Sequence, residues 1–360
     1  MSKESVKVLH VFAKLHDGGV ERMLMNYYEH MDCNKVHFDF AIHSDRKELL
    51  EDKAVGLGVK VFHLKPKTKG MIKYYFSLGK IIKEEKYDAV HSHQGPRGWY
   101  PLWIAKRKGV QKRIAHCHVE MISGSRFEAV RNRIEAFLTI RVATELYACS
   151  KEAGSIWGNK QFAIIPDAVD IDKMSFSLEK RDEMRKELGV SKLFFVGCVS
   201  RFVDRKNHAR TLDIFEKLQK EYPDTALGFV GTGPLEESIK ALSDKKKLKN
   251  VFFFGEREDV SGFLNAFDVF LLPTKMEGFG MVILEAELNR LGTVISDVVP
   301  KLVCISDKCK MLSLDEPDEA WVEALLEEKQ RARNEVHFND NLDFFDIEKQ
   351  ASLLAENYMR

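Results

Sequence analysis

The sequence predicts an α/β protein made of two doubly wound parallel sheets in tandem. Short apolar runs alternate with longer helical patterns along almost the whole chain, the signature of repeated βαβ units. At 360 residues the chain is long enough for two domains, each burying its own core. The alternation also pauses once, around 166–190, and then begins again. This predicts a first domain at 1–170 and a second at 171–345. A last helix, 346–360, is expected to pack back on the first domain.

In the first domain the predicted strands are 6–13, 36–42, 59–64, 89–92, 112–116 and 145–150. The predicted helices are 20–31, 46–57, 70–85, 98–108 and 126–142. The strands are short apolar runs bounded by turn residues. The helices are longer, with apolar residues recurring every three or four positions. Residues 162–172 read as strand then loop, and 177–188 as a helix stopped by Gly189. The second series has strands at 192–200, 226–231, 250–255, 268–272 and 293–296. Its helices are 208–221, a segment after Pro234, 259–266 and 281–289.

A net charge of +1 argues against a dedicated nucleic-acid binder. The charge is uneven, however. Residues 60–113 hold fourteen Lys and Arg against three acids, a net of +11, while 315–328 hold seven acids and no base. The six cysteines include no C-x-x-C pair, which predicts reduced thiols rather than a disulfide framework or a zinc knot. The N-terminal apolar run is too short for a signal peptide, and no run approaches eighteen apolar residues. No membrane span is expected, and the reading is a cytoplasmic protein.

The stretch from Pro273 to Arg290 carries the most chemistry. A buried strand leads through a short turn to Glu277, Gly278, Phe279 and Gly280, and a helix follows. Strand, glycine turn and helix N-terminus together offer backbone N–H groups to an anion. If the span from Glu277 to Glu285 were mostly helical, the carboxylates would stand roughly 12 Å apart along the axis. That is too far to flank one glycosidic bond, where about 5 to 9.5 Å is needed. It suits a long ligand with hydroxyls at both ends and negative charge between, such as a nucleotide sugar. The plain alternative puts Glu285 on a solvated helix face and leaves Glu277 an ordinary N-terminal acid.

Gly18 and Gly19 repeat the strand–turn–helix arrangement after the first strand, in His16-Asp17-Gly18-Gly19, without full G-x-G-x-x-G spacing. Gly231-Thr232-Gly233-Pro234 lacks the third glycine, since Glu236 stands there, so a dehydrogenase fingerprint fails. Arg201 and Lys206 follow a strand end and precede a helix, where two cations would neutralise a diphosphate. A merely basic loop is the alternative. His91 and His93 end one strand, His116 and His118 another. Residues i and i+2 share a strand face, so each pair could chelate a metal, although no acidic motif completes a hard-metal site. His91 reads as a satisfied histidine, and His118, last on its strand, as the one pointing toward a ligand.

Five segments then act together: GGVERMLMNYY (18–28), RIAHCH (113–118), SRFVDRKNH (200–208), VGTGPLEESI (230–239) and EGFGMVILE (277–285). With them the chain resembles the family-4 retaining glycosyltransferases of GT-B fold over essentially its whole length. The likeness is closest to the bacterial branch that builds exopolysaccharide, capsule or lipopolysaccharide. The last segment matches that family's Glu-x7-Glu motif. The resemblance implies two Rossmann-like domains facing each other across a cleft, the first for the acceptor and the second for a UDP- or GDP-sugar. It implies that His118 contacts the donor sugar and that Arg201 and Lys206 stabilise the leaving diphosphate. Glu277 would hold sugar hydroxyls and Glu285 the ribose hydroxyls. Backbone N–H groups at Gly18, Gly19, Gly280, Met281 and Val282 would meet phosphate or sugar. Base contacts would be backbone ones near 255–258. No metal and no cofactor are implied. Retention would follow front-face attack, with a leaving phosphate oxygen as base.

Some positions depart from the family pattern. Ser200 stands where glycine is common, and Arg205 where glutamine is. Pro166-Asp167-Ala168-Val169-Asp170 replaces Pro-Asn-Gly-x-Asp, and Glu120 lies where asparagine is frequent. The acceptor implied is a saccharide or a lipid-linked saccharide. With it, the basic stretches 65–83 and 106–113 read as contacts to an anionic inner membrane face. Two other readings stay open from the residues alone: a metal-dependent hydrolase built on the His-x-His pairs, and a non-catalytic nucleotide-sugar-binding protein. An epimerase on the same fold is a further one.

Overall fold

The computed structural model describes residues 5–16, 18–65, 70–118, 126–257, 259–331, 333, 335–339 and 342–360. Asp17, Glu120, Glu258 and positions 66–69 lie outside the described residues. The chain forms two compact units, one of residues 1–170 with 343–360 and one of residues 171–342.

The first unit begins with β1 (Val6–Phe12), α1 (Gly19–Glu29), β2 (Val36–Ile42), α2 (Glu51–Gly56) and β3 (Val61–His63). It continues with α3 (Met71–Glu85), β4 (Ala89–Ser92), α4 (Trp99–Arg107), β5 (Lys112–Cys117), α5 (Arg126–Val142), β6 (Glu145–Ala148), α6 (Lys151–Gly154) and β7 (Ala163–Ile164). The second unit runs α7 (Ile171–Met174), α8 (Leu178–Glu187), β8 (Phe194–Val199), α9 (His208–Glu221), β9 (Thr225–Val230), α10 (Glu236–Lys245) and β10 (Val251–Phe253). Then come α11 (Ser261–Ala266), β11 (Val269–Leu272), α12 (Met281–Leu288), β12 (Gly292–Ser296), β13 (Cys309–Leu312) and α13 (Asp318–Gln330). The chain returns to the first unit with α14 (Ile347–Met359).

Both sheets are parallel. Their orders are β3-β2-β1-β4-β5-β6-β7 and β10-β9-β8-β11-β12-β13. Each order reverses once, between β1 and β4 and between β8 and β11. In such sheets the loops leaving the strands at the reversal diverge and open a ligand site at the carboxyl edge. The loop after β1 carries Gly18, and Gly19 opens α1 beyond it. The loops after β8 and β11 carry Arg201, Lys206, Glu277 and Gly280.

Alternation along the strands divides the core of the first unit. Val8, Phe12, Phe38, Phe40 and Ile114 face Leu24 and Tyr27 of α1 and Ile347, Leu354 and Tyr358 of α14. Leu9, Val11, Ala41, Val90 and Ala115 face Tyr74, Leu78 and Ile82 of α3 and Leu102 and Ile104 of α4. Full burial of each large apolar side chain contributes about 1.5–3 kcal/mol, so α14 is an integral layer of this unit.

Two expectations are corrected and one unread element is added. The helix expected at 46–57 is only α2, because Ser44 donates to the Arg46 carbonyl and to the Glu48 carboxylate and holds a turn there. The acid run at 315–328 hides α13. Asp318 and Glu319 occupy its first turn, where the helix dipole favours them, and Trp321, Val322 and Leu325 form a buried stripe. The cysteines are not all reduced: Cys304 and Cys309 form a disulfide with Cα atoms 5.5 Å apart. A short helical turn at Lys301–Val303 and the start of β13 bring them together, which spacing alone does not reveal.

Candidate functional site

In the second unit two loops at the β8/β11 reversal are tied to each other. Thr274 Oγ1 donates to the Arg205 carbonyl at 2.9 Å, and the Lys275 amide donates to the same oxygen at 2.7 Å. Asn207, in the left-handed conformation at φ +57°, donates its side-chain amide to the Pro273 carbonyl at 3.0 Å. Lys275 also pairs with Asp204 at 3.0 Å. These bonds fix Lys206, which donates to the Glu277 carboxylate. Both side chains are 10% exposed. Two residues 71 apart in the chain are thus an ion pair largely removed from water, where their attraction is only weakly screened.

Gly280 caps α12 at φ +100°, and no side chain caps that helix end. A Cβ on Gly280 would stand 3.1 Å from Ile283 Cδ1 and 3.4 Å from Glu277 Cγ. Only glycine takes this conformation freely, and it keeps the helix N-terminus open toward Glu277. Met281 and Val282 are half-buried in the first turn. Glu285 is buried, 7% exposed, so the solvated-face alternative for it is excluded. Because α12 starts only at Met281, Glu277 lies in the loop and the helical separation of about 12 Å does not apply.

Arg201 is exposed, and among the described residues no contact brings its side chain to the Lys206–Glu277 pair. Ser200, at a position that departs from the family pattern, has Oγ 2.9 Å from His208 Nε2. Burial, and then the Lys206 charge, push His208 down to about 4. The glycines of the 231–233 turn serve packing. A Cβ on Gly231 would meet the Ser200 carbonyl oxygen at 2.3 Å, and one on Gly233 the Phe202 carbonyl oxygen at 2.5 Å.

In the first unit Gly18 precedes α1 and Gly19 opens it, again with no side-chain cap, and Gly19 is exposed. On β1, β4 and β5 the two His-x-His pairs meet a fifth histidine, His10, paired in register with His91. His10 Nδ1 lies 2.9 Å from His93 Nε2, and His93 Nδ1 lies 2.9 Å from His118 Nε2. His91 Nδ1 is 2.6 Å from the Tyr358 hydroxyl on α14. The His116 and His118 rings are 3.9 Å apart between centroids. His118 falls just past β5 rather than on it, and its side chain is 7% exposed, folded into this ladder. Burial pushes His10 and His118 down to about 3 and the other three well below the ordinary value.

Sequence reasoning missed His10, whose signal was its place between Val8 and Phe12 on one strand face. Asp167 was noted only as a departure from the family pattern, and its carboxylate is 4.0 Å from His118 Nδ1. The 166–170 segment is held by Tyr27, which donates to the Pro166 carbonyl at 2.7 Å, and by Asn26, which donates to the Ala168 carbonyl at 3.0 Å.

Comparison with known proteins defines the class. Residues 17–173 match the family described as Glycosyltransferase Family 4, and residues 180–334 the family described as Glycosyl transferases group 1. EpsF of Bacillus subtilis (strain 168) is 28% identical over 341 residues, covering 90% of this chain and 88% of that one. The capsular polysaccharide biosynthesis glycosyltransferase CapH of Staphylococcus aureus is 23% identical, covering 98% and 99%. Among solved structures, HepE of Anabaena in complex with UDP and glucose superposes with a TM-score of 0.77 at 17% identity, covering 98% of this chain and 95% of that one. WaaG, a glycosyltransferase involved in lipopolysaccharide biosynthesis, superposes at 0.72 and 18%, covering 98% and 99%. Two parallel α/β units and these matches define a glycosyltransferase of GT-B fold. The chain belongs to glycosyltransferase family 4.

Proposed function

We propose that the protein transfers a sugar from a UDP- or GDP-sugar to a saccharide or lipid-linked saccharide, with retention of anomeric configuration and without a divalent metal, in cell-surface polysaccharide biosynthesis. The observation that carries this is the Lys206–Glu277 pair at the β8/β11 reversal, beside the uncapped N-terminus of α12. Lys206 and Arg201 supply positive charge to a leaving diphosphate. Stabilising charge that develops in the transition state is the main lever in such chemistry. Glu277 accepts hydrogen bonds from donor-sugar hydroxyls, Glu285 from ribose hydroxyls. N–H groups at Gly280, Met281 and Val282 meet phosphate, and those at Gly18 and Gly19 the donor or acceptor. His118, held neutral at physiological pH by burial, turns out of the histidine ladder to hydrogen-bond the donor sugar without adding charge.

In the step proposed, the acceptor hydroxyl attacks the anomeric carbon on the side the diphosphate leaves. The carbon–oxygen bond to phosphate breaks, the new glycosidic bond forms, and the hydroxyl proton passes to the leaving phosphate oxygen. Relatives support the donor class: one is named as a UDP-Gal-dependent galactosyltransferase acting on a diphosphoundecaprenol-linked sugar, another as a GDP-mannose-dependent mannosyltransferase. The hydrolase alternative has no support from the family.

A lipid-linked acceptor would bring the first unit to the inner face of the membrane from a cytoplasmic location. No described helix is long and apolar enough to cross a membrane. On α5, Phe127, Val130, Ile134 and Phe137 are all more than half exposed and share one helix face. On α3, Ile72 and Phe76 are exposed beside Lys73 and Lys80. Lys106, Arg107 and Lys108 are exposed at the end of α4. Arg113, part of the same basic stretch, is instead taken up by the carbonyls of Val142, Val110 and Gln111.

The test is to incubate the protein in EDTA with UDP- and GDP-sugars and a lipid-linked saccharide. Nucleotide diphosphate release and the anomeric configuration of the product are then measured. Release with a retained linkage supports the reading. Donor binding without release in the presence of acceptor supports the non-catalytic alternative.

A further inference from the structure

The proposed sugar transfer uses His118 alone, yet five histidines cluster on β1, β4 and β5 or just past their ends. Among the described residues, five of their ring nitrogens have no hydrogen-bond partner: His10 Nε2, His91 Nε2, both nitrogens of His116, and His118 Nδ1. Each buried unpaired polar atom costs about 1–3 kcal/mol. Apolar residues would avoid that cost, so the arrangement is explained most directly if something binds there.

We propose that His93, His116 and His118 form a site for a divalent transition ion of the zinc, nickel or copper class, distinct from the sugar-transfer step. One nitrogen from each lies within 4.8 Å of the others. Nitrogens on one ion at about 2.0–2.1 Å stand roughly 3–4 Å apart, so ring rotations of about 1 Å close the set. His93 Nδ1 and His118 Nε2 are already 2.9 Å apart, sharing one proton that an ion would replace. His116, with both nitrogens unpaired, adds the third ligand.

A metal-bound imidazole needs a partner on its far nitrogen to fix ring orientation, and His93 already has one, whereas Asp167 would have to close on His118. His10 Nδ1 sits 2.9 Å from the far nitrogen of His93. The Asp167 carboxylate sits 4.0 Å from the far nitrogen of His118. A nitrogen-only ligand set disfavours magnesium and calcium, which take oxygens, and suits ions that imidazole prefers. An occupied site withdraws His118 from a donor sugar, so the ion inhibits transfer. That inhibitory role rests on the proposed function.

The full chain, stripped with EDTA and then dialysed against Co2+ or Zn2+, tests this. The expected result is one equivalent bound, with the visible Co2+ bands of a nitrogen-rich low-coordinate site. His116→Gln, which touches no residue assigned to transfer other than His118, should lose the bands while keeping its far-ultraviolet circular dichroism. Asp167→Asn should weaken binding at least about tenfold. No binding by the wild-type protein, or equal binding by both His116→Gln and His93→Gln, overturns the site. Binding by the wild type with equal transfer rates in zinc and in EDTA overturns the inhibitory role alone. Absence of transfer from every donor, with the cobalt bands present, counts against the proposed function and leaves the site standing.

Discussion

Lys206, in the loop after β8, donates to the carboxylate of Glu277, in the loop after β11, and both side chains are about nine-tenths buried. Removing one partner of such a pair leaves a buried charge uncompensated and costs about 3–5 kcal/mol, whereas replacing both with neutral groups is often close to neutral. The double variant Lys206→Met/Glu277→Gln should therefore unfold in denaturant near the wild-type midpoint. Its sugar transfer should fall by at least ~100-fold, the scale of losing one charge-stabilising donor. A stable double variant with near-normal activity would make the pair structural only.

Gly280 predicts a second effect. Its φ is +100°, and an added Cβ would stand 3.1 Å from Ile283 Cδ1, so Gly280→Ala should destabilise the second unit by about 1–3 kcal/mol. Gly19 is exposed and has open space around a Cβ, so Gly19→Ala should leave stability within about 0.5 kcal/mol. Chemical denaturation of both variants measures the contrast; equal stability of the two would contradict it.

The pH dependence follows from opposite shifts in the two units. A histidine held neutral by burial contributes stability that is fully present above its unfolded value of about 6.5 and is lost as pH falls toward its folded value. Five such groups should make the first unit lose stability steadily as pH falls below about 6.5. In the second unit His208 acts in the same direction, but burial pushes Glu287 up to about 7. Glu287 contributes stability that is fully present below about 4.5 and lost as pH rises through about 7. Acid should therefore unfold the first unit before the second. In chelator, Trp321→Phe removes the tryptophan of the second unit, and the remaining fluorescence should report an acid transition with a higher midpoint than circular dichroism. Coincident midpoints would contradict this.

Much of the fold was legible because a buried parallel strand needs an apolar run and a surface helix an apolar stripe. The ends of α5 and α9 agree with those periodicities, and the loops of the β8/β11 reversal were marked by Gly280, Lys206 and Glu277. What stayed hidden depends on which side chains meet in the fold. The turn at Ser44 and the approach of Cys304 to Cys309 involve neighbours two to five residues away that spacing alone does not single out, while the pairing of Lys206 with Glu277 spans 71 residues. In α13 acids run along the whole helix and one of them, Glu328, lies on the buried face, so charge masked the period. Two His-x-His pairs were visible, but their convergence with His10 and Asp167 is a property of strand order.

The membrane reading makes a surface prediction. Phe127→Ser/Phe137→Ser on α5, or Lys73→Glu/Lys80→Glu on α3, should lower binding to anionic vesicles with little effect on stability, since these side chains are exposed. Vesicle co-sedimentation measures it. No binding by the wild-type protein to anionic vesicles would end that reading.

Everything proposed for the second unit depends on metal-independent recognition of a nucleotide-diphosphate sugar. The thermal shift of the EDTA-treated protein with UDP, GDP, ADP, CMP and dTDP measures that recognition without an acceptor. A ligand at about 100 times its dissociation constant stabilises the fold by roughly 2.7 kcal/mol. A clear rise in melting temperature with UDP or GDP in EDTA is expected, reduced in Lys206→Met/Glu277→Gln. No shift with any of the five nucleotides in EDTA would contradict metal-independent donor binding.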